Sequence, residues 1–138
     1  MRTFIFALIV TCFCVVNFSY GQTNSQRLKK VVIEYEEFTT TTGENVTCEA
    51  FRPTFKETLH TIVLEDSELP KLNLYRRKFV ATARRSMDVR AVIRFEFEHK
   101  GVEYCTDISG VFFNKKEGKF YKNKELFDVV KKKCLIDN

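Results

Sequence analysis

The side chains best suited to binding chemistry in this sequence are basic and lie on two predicted neighbouring strands, residues 74–85 and 88–98. A guanidinium group offers a planar fork of donors that matches sulfate, phosphate and carboxylate oxygens. If the two strands pair, their exposed face carries a basic stripe. Five residues make up this predicted basic face: Arg76, Lys78, Arg84, Arg90 and Arg94. The simpler interpretation is a solvated sheet face that Glu96 and Glu98 partly neutralise.

A second basic cluster lies between residues 112 and 124, where lysines alternate with aromatic residues. Such mixtures suit membrane surfaces or sugar sulfates. The simpler interpretation places the aromatic rings in the core and leaves the lysines to solvate a hairpin. The members are Phe112, Phe113, Lys115, Lys116, Lys119, Phe120, Tyr121, Lys122 and Lys124.

Catalytic chemistry is poorly supported, because the chain has only two histidines, His60 and His99. A secreted hydrolase could use one as base and the other as acid. The multiple disulfides and local signatures of secreted ribonucleases are missing. Two histidines among scattered acids also do not form a metal-binding pattern. We therefore predict a protein that is not an enzyme, with no catalytic residue, no metal site and no cofactor.

The first 21 residues are typical of a secretory signal peptide. Arg2 precedes a run from residue 4 to residue 16 that is apolar except for Thr11. Small residues, Ser19 and Gly21, occupy the positions before the predicted cleavage point. No later apolar run reaches transmembrane length. We expect a secreted, extracellular protein with no stable membrane insertion and no nucleic-acid partner.

The cysteines provide a prediction about cross-linking. Cys12 and Cys14 fall in the signal peptide, so Cys48, Cys105 and Cys134 remain. In an oxidising compartment two of the three should pair. The preferred pair is Cys105–Cys134, which would attach the C-terminal helix to the sheet and leave Cys48 buried or available for a disulfide-linked homodimer. The competing pair is Cys48–Cys105, across two strands.

Two short motifs suggest covalent modification. Asn45-Val46-Thr47 is an N-glycosylation acceptor in a polar turn, and we expect Asn45 to be modified. Arg84-Arg85 has the form of a dibasic processing site. The predicted strand over residues 74–85 encloses this pair, which disfavours cleavage.

The elements that would position these groups follow from periodicity. Residues 31–38 and 46–52 are predicted strands of a first hairpin. Residues 54–65 favour a helix, because Thr54 and Glu57 form a capping box, although the β-branched residues there favour a strand. An acidic loop follows over residues 65–70.

The second half of the chain has a stronger pattern. Strands are predicted over residues 74–85, 88–98 and 102–108, followed by a short hairpin of 111–113 and 119–121. A closing helix begins after Asn123 and ends near Lys131-Lys132-Lys133, in agreement with the helix dipole. The predicted fold class is α+β, an antiparallel sheet meander with one central and one C-terminal helix packed on it. Residues 22–30 form a flexible arm and residues 31–138 a single domain.

The order of elements resembles that of cystatin-like folds, a helix wrapped by an antiparallel meander. The Gln-x-Val-x-Gly loop of cystatins is absent, so the resemblance assigns no site and no activity.

The functional prediction is a secreted, non-enzymatic binding protein. Its formal net charge of +5 and its basic face would engage an extracellular protein or an anionic polysaccharide. The alternative is a small extracellular carrier that holds a lipid-like ligand between sheet and helix, since the ten phenylalanines that follow the predicted signal peptide could line a cavity as well as fill a core. A secreted hydrolase ranks below both.

Overall fold

The structure, a computed structural model, describes residues 27–136. The predicted signal peptide over residues 1–21, and residues 22–26 of the predicted arm, lie outside the described residues. Within residues 27–136, no helix is long and apolar enough to cross a membrane.

Seven strands form one sheet in the order β2-β1-β4-β5-β6-β7-β3, and every neighbouring pair is antiparallel. The strands are β1 (Leu28–Tyr35), β2 (His60–Leu64), β3 (Val80–Thr82), β4 (Val89–Phe97), β5 (Gly101–Asp107), β6 (Val111–Asn114) and β7 (Lys119–Lys122). The helices are α1 (Phe51–Thr54), α2 (Leu69–Arg76) and α3 (Lys124–Ile136), and a 3₁₀ turn, Asp66–Glu68, precedes α2. This architecture confirms the predicted α+β fold with a strand meander.

The inner face of the sheet carries the main core. Alternate residues of the central strands point to this face, as the period of two in a strand requires. Helices α2 and α3 cover it and contribute Leu72, Leu126 and Val130. The buried sheet residues beneath them include Ile33, Tyr35, Ile93, Phe95, Tyr104 and Phe112.

The outer face is covered only in part, by the segment of residues 46–59 that contains α1. Phe51 and Phe55 pack there against Val92 of β4 and Cys105 of β5. A register shift between Val89 and Ala91 lets Val89 join the same outer cluster. This outer cluster contains no residue of β6, β7 or β3, which form the other end of the outer face.

The disulfide joins Cys48 to Cys105, with a Cα–Cα distance of 5.8 Å that suits such a bond. The preferred Cys105–Cys134 bridge is therefore wrong, and the competing pair is the one formed. Cys105 points to the outer face, whereas Cys134 is buried on α3 against the inner face. The sheet lies between the two side chains, so the bond attaches the 46–59 segment rather than the C-terminal helix.

The predicted elements of residues 46–65 are wrong in detail. No strand forms over residues 46–52, which instead run through a turn into α1. The predicted helix over 54–65 is replaced at its C-terminal half by β2, which pairs with β1 through Ile33↔Ile62 and Val32↔Val63. Long-range pairing to β1 decided this segment, because β-branched side chains pack well on a pleated surface.

The predicted strand over residues 74–85 is also wrong. Its first residues belong to α2, the central helix of this fold. Leu69, Leu72 and Tyr75 are spaced by three and pack against the main core on one helix face. Pro70 in the first turn suits a helix start. Only Val80–Thr82 remain as strand, in β3.

Strand β1 begins at Leu28, inside the arm predicted over residues 22–30, and ends at Tyr35, before the predicted end at residue 38. The other elements agree with the predictions. Strands β4 and β5, the β6–β7 hairpin and α3 lie where the periodicity placed them. The Asn123 side chain caps α3, since its Oδ1 accepts a hydrogen bond of 3.0 Å from the Leu126 N–H. Its Nδ2 donates to the Tyr75 carbonyl at 2.7 Å, which fixes α3 to the end of α2.

Candidate functional site

The structure does not bring the five residues of the predicted basic face together. Arg76 belongs to α2, where its guanidinium lies 5.0 Å from the centre of the Phe97 ring and donates to Asn73 Oδ1. Burial lowers the pKa of Arg76. Lys78 follows the same helix, and its Nζ lies 3.1 Å from a carboxylate oxygen of Glu125. Arg76 therefore connects α2 to β4, and Lys78 connects the end of α2 to α3.

Arg90 is a buried structural residue, with 1% of its surface exposed. Its Nη1 donates to Asp88 Oδ1 at 2.8 Å, and its Nη2 donates to Asp88 Oδ2 at 2.6 Å. Further bonds reach the carbonyl oxygens of Thr40 and Val89 and the hydroxyl of Thr42. Since every donor is satisfied inside the fold, this guanidinium is not available to an external anion.

Ion pairs balance the outer face near β1, β4 and β5. Arg94 Nε donates to Glu96 at 2.9 Å, and Lys30 approaches the same carboxylate at 3.2 Å. These contacts lower the pKa of Glu96 against the opposing effect of burial. Arg94 therefore lies in a compensated region, as the simpler interpretation proposed.

Arg52 adds a second balanced group on this face. Its guanidinium lies between Glu34 of β1 and Glu103 of β5, at 2.8 Å from Glu103 Oε2. Hydrogen bonds to Glu34 and then Glu103 raise the pKa of Arg52. The side chain spans three strands and attaches α1 to the sheet.

A partly exposed group of side chains lies on the outer face of β6, β7 and β3. The rings of Phe113 and Phe120 face each other there, with centroids 4.7 Å apart, and both are half-buried. The next rung of the ladder on the same face places Lys122 beside Val80, which is 67% exposed. We name Val80, Phe113, Phe120 and Lys122 the basic–aromatic patch.

Additional cations surround one end of the basic–aromatic patch. The antiparallel pairing of β3 with β7 brings the exposed residues Arg84 and Arg85 toward the turn that contains Lys116 and precedes Lys119. Within residues 27–136, these four cations and Lys122 make no ion pair with a carboxylate. These five cations are thus left without a direct ion-pair partner in the described part of the chain, and the same turn carries one acidic residue, Glu117.

The β6–β7 turn is held by its own contacts. Gly118 has a φ of +65°, a left-handed conformation that glycine adopts without steric cost. The Tyr121 hydroxyl donates to the Glu117 carboxylate, and this hydrogen bond raises the pKa of Tyr121 to about 12. Lys115 Nζ lies 3.3 Å from Oε1 of Glu49, in the covering segment, which is the segment of residues 46–59 on the outer face. These contacts hold the turn in place, and the side chains of Lys116 and Lys119 extend from it into solvent.

Asn45, the predicted glycosylation site, is exposed and lies beside the loop of residues 83–88. Its Nδ2 donates to Ser86 Oγ at 2.9 Å, and the neighbouring Val46 N–H donates to Asp88 Oδ1 at 2.9 Å. A glycan on Asn45 would therefore start next to this loop. The modification itself stays a prediction.

A groove of about 420 Å³ runs between α2 and α3. Its apolar lining comes from Leu64, Leu72, Val129 and Ile136. The lysines at its rim are Lys71, Lys132 and Lys133, of which Lys133 pairs with Glu68. An apolar groove with a basic rim suits a small amphiphile with an acidic head group.

The two histidines do not form one site. His60 pairs with Tyr35 at one end of the sheet, where the two rings stack with centroids 5.1 Å apart. His99 is exposed in the turn after the opposite end of β4. The strand length between them, at roughly 3.3 Å per residue, separates them by at least about 20 Å. Residues 27–136 also contain no group of three or more metal-ligating side chains.

Comparison with known proteins gives no relative. No family model, no curated protein and no solved structure matches the chain. The resemblance of its element order to cystatin-like folds finds no counterpart there.

Sequence reasoning named three residues of the basic–aromatic patch, Phe113, Phe120 and Lys122, but favoured a core position for the aromatic rings and did not include Val80. Phe112 and Tyr121 do face the main core, whereas Phe113 and Phe120 face outward. The alternation of Phe120, Tyr121 and Lys122 along β7 was the available signal. This alternation alone does not show which face of the sheet the other segments of the chain leave partly exposed.

Proposed function

We propose that the protein is a secreted, non-enzymatic binding protein that engages an extracellular anionic polysaccharide through the basic–aromatic patch. The observation that supports this most is the half-buried Phe113–Phe120 ring pair on the outer sheet face, next to five cations that make no ion pair within residues 27–136. This patch replaces the predicted basic face as the binding site.

The chemistry of the patch suits a sulfated sugar chain. Aromatic rings offer flat apolar surfaces on which the C–H faces of sugar rings pack. Lysine and arginine side chains form charge-assisted hydrogen bonds with sulfate oxygens. Exposed apolar groups rimmed by polar residues are typical of interaction sites. A sheet surface also holds the rings in place, so little conformational entropy is lost on binding.

Secretion is part of the proposal and has separate support. The Cys48–Cys105 bond suits an oxidising compartment. The Asn45 acceptor is exposed, as glycosylation requires. The N-terminal sequence has the three parts of a signal peptide.

The test compares two charge-matched triple variants on immobilised heparin, used as the sulfated polysaccharide. The patch variant combines Lys122→Gln, in the patch itself, with Arg84→Gln and Lys119→Gln among the cations at its end. The control combines Lys56→Gln, Lys100→Gln and Lys131→Gln, which are exposed cations on other surfaces. For a linear polyanion each lost contact lowers the slope of log K against log salt by roughly one, so the patch variant should lose roughly three.

Equal losses in the two triple variants would contradict the proposal, because binding would then follow net charge alone. Phe113→Thr adds a second readout, since it keeps a β-branched residue in β6 while removing the ring. We expect weaker heparin binding with an unchanged salt slope. Circular dichroism and thermal melting of each variant establish that the fold is retained.

The groove between α2 and α3 favours a second candidate function, a carrier of an anionic lipid-like ligand. Its apolar lining and its rim lysines, Lys71 and Lys132, match an acyl chain with an acidic head. Native mass spectrometry of the secreted protein would show a bound fatty acid, and Val129→Arg should remove it. Protein that is free of lipid and does not bind added fatty acid would contradict this candidate.

A further inference from the structure

Arg84-Arg85 differs from the other adjacent basic residues in its structural setting. Proteases bind their substrates as extended segments, so a basic pair in a helix, a central strand or a tight turn is protected. The others lie in β1, at the end of α2 and in the turn that follows it, in the β6–β7 turn and in α3: Lys29-Lys30, Arg76-Arg77-Lys78, Lys115-Lys116 and Lys131-Lys132-Lys133. Arg84 and Arg85 instead lie in the loop of residues 83–88, which belongs to no helix or strand.

The first four side chains of this loop are open to solvent, whereas Met87 and Asp88 are half-buried and Ser86 Oγ accepts a hydrogen bond from Asn45. Residues 83–86 are all exposed. Within residues 27–136, neither Arg84 nor Arg85 makes a hydrogen bond or an ion pair. The predicted strand that would have protected the pair does not exist, because α2 and β3 replace it.

The residues before the loop can also separate from the sheet at low cost. β3 has three residues and lies at the sheet edge, with β7 as its one neighbour. Val80 of this strand is 67% exposed. Short edge elements with few buried contacts open locally with small free energies, so a protease can gain several more residues of extended chain.

We propose that the 83–88 loop is a processing site, cleaved after Arg85 by an endoprotease specific for paired basic residues. Acidic subsites of such an enzyme would hold the two guanidinium groups of Arg84 and Arg85. Water is the co-reactant. The bond between the Arg85 carbonyl carbon and the Ser86 nitrogen breaks, leaving a carboxylate on Arg85 and an amine on Ser86.

Cleavage at this position would keep the molecule together. The Cys48–Cys105 bond joins the two fragments, because the cut falls between its two cysteines in the chain. The pairing of β1 with β4 also crosses the cut. The product is therefore a folded two-chain protein, in which β3 becomes a chain end beside the basic–aromatic patch.

The experiment uses the purified, disulfide-bonded protein and a subtilisin-like endoprotease specific for paired basic residues. We expect one early cut, after Arg85. Mass spectrometry without reduction should show the whole chain plus one water, and reduction should release two fragments. The reduced and denatured chain, cut at several basic pairs, shows that the other pairs are substrates once unfolded.

Two variants complete the test. Arg85→Gln should slow this cut by a factor on the order of 10⁴, the discrimination expected when a site loses the charged group it binds. Lys131→Gln, in the basic run of α3, should leave the rate unchanged. First cleavage at another basic pair would overturn the proposal. So would resistance of the folded protein under conditions that cut the denatured chain after Arg85. Heparin binding is not part of this readout, so the result is independent of the proposed function.

Discussion

Replacing Arg90 by methionine separates a structural role for this residue from the binding role that the sequence predicted. Methionine keeps an unbranched side chain of comparable length but removes the guanidinium. The substitution deletes both hydrogen bonds to the Asp88 carboxylate and those to Thr40 and Thr42. It also removes the guanidinium that lies 5.5 Å from the centre of the Phe55 ring.

The expected loss of stability is large for one side chain. Breaking a buried ion pair by removing one partner costs about 3–5 kcal/mol. The Asp88 side chain is 31% exposed and can regain water, which places the expected loss near 3 kcal/mol. For a domain of this size, each kcal/mol lowers the melting temperature by roughly 4 °C, so we expect a decrease of roughly 12 °C.

The assay pairs thermal unfolding with heparin elution, and Arg94→Met is the matched control. Arg94 pairs with Glu96 on the surface, where removal of such a pair costs less than about 1 kcal/mol. We expect Arg90→Met to melt at a clearly lower temperature while the folded protein still elutes at the salt concentration of the unmodified protein. An unchanged melting temperature together with lost heparin binding would refute the argument, because Arg90 would then be exposed and part of the binding surface.

Two further predictions concern the covering segment and the β6–β7 turn. Peptide mapping without reduction should recover Cys48 linked to Cys105, and the double change to serine should cost about 4 kcal/mol in denaturant unfolding for this 57-residue separation; a peptide linking Cys105 to Cys134 would contradict the fold. Tyr121 should ionise near pH 12, above the ordinary value of 10, because of its hydrogen bond to Glu117. The raised pKa means that the stability from this bond is present below pH 10 and is lost as the pH rises through 12. Glu117→Gln should move one tyrosine in an ultraviolet absorbance titration toward pH 10, and an unchanged titration would contradict this contact.

Several elements could be predicted from the sequence because local chemistry specifies them. Strand β4 alternates apolar and charged residues except at Val92, and only one register buries the apolar set on the inner face. The α3 helix has its own cap at Asn123 and basic residues in its last turn. The hairpin around Gly118 needs a left-handed residue at that position. Each of these signals lies within the element it predicts.

The predictions that were wrong concern segments whose local signals conflict. Residues 60–64 became a strand because β1 offered an unpaired edge more than twenty residues earlier in the chain. Leu69, Leu72 and Tyr75 became helical because α3 and the sheet offered a common surface for one helix face. Three residues of the predicted basic face, Arg76, Lys78 and Arg84, were assigned to a strand that does not form, whereas Arg90 and Arg94 lie in β4 as predicted.

The sequence by itself determined the fold class, the meander, the closing helix and the types of side chain available for binding. These depend on periodicity, capping and turn chemistry, which act between residues close together in the chain. The tertiary structure alone decided which cysteine pairs with Cys105, that Arg90 is buried, and that Phe113 and Phe120 lie half-buried on the outer face. Those outcomes depend on which segment covers which side of the sheet, and this is settled by packing between residues far apart in the chain.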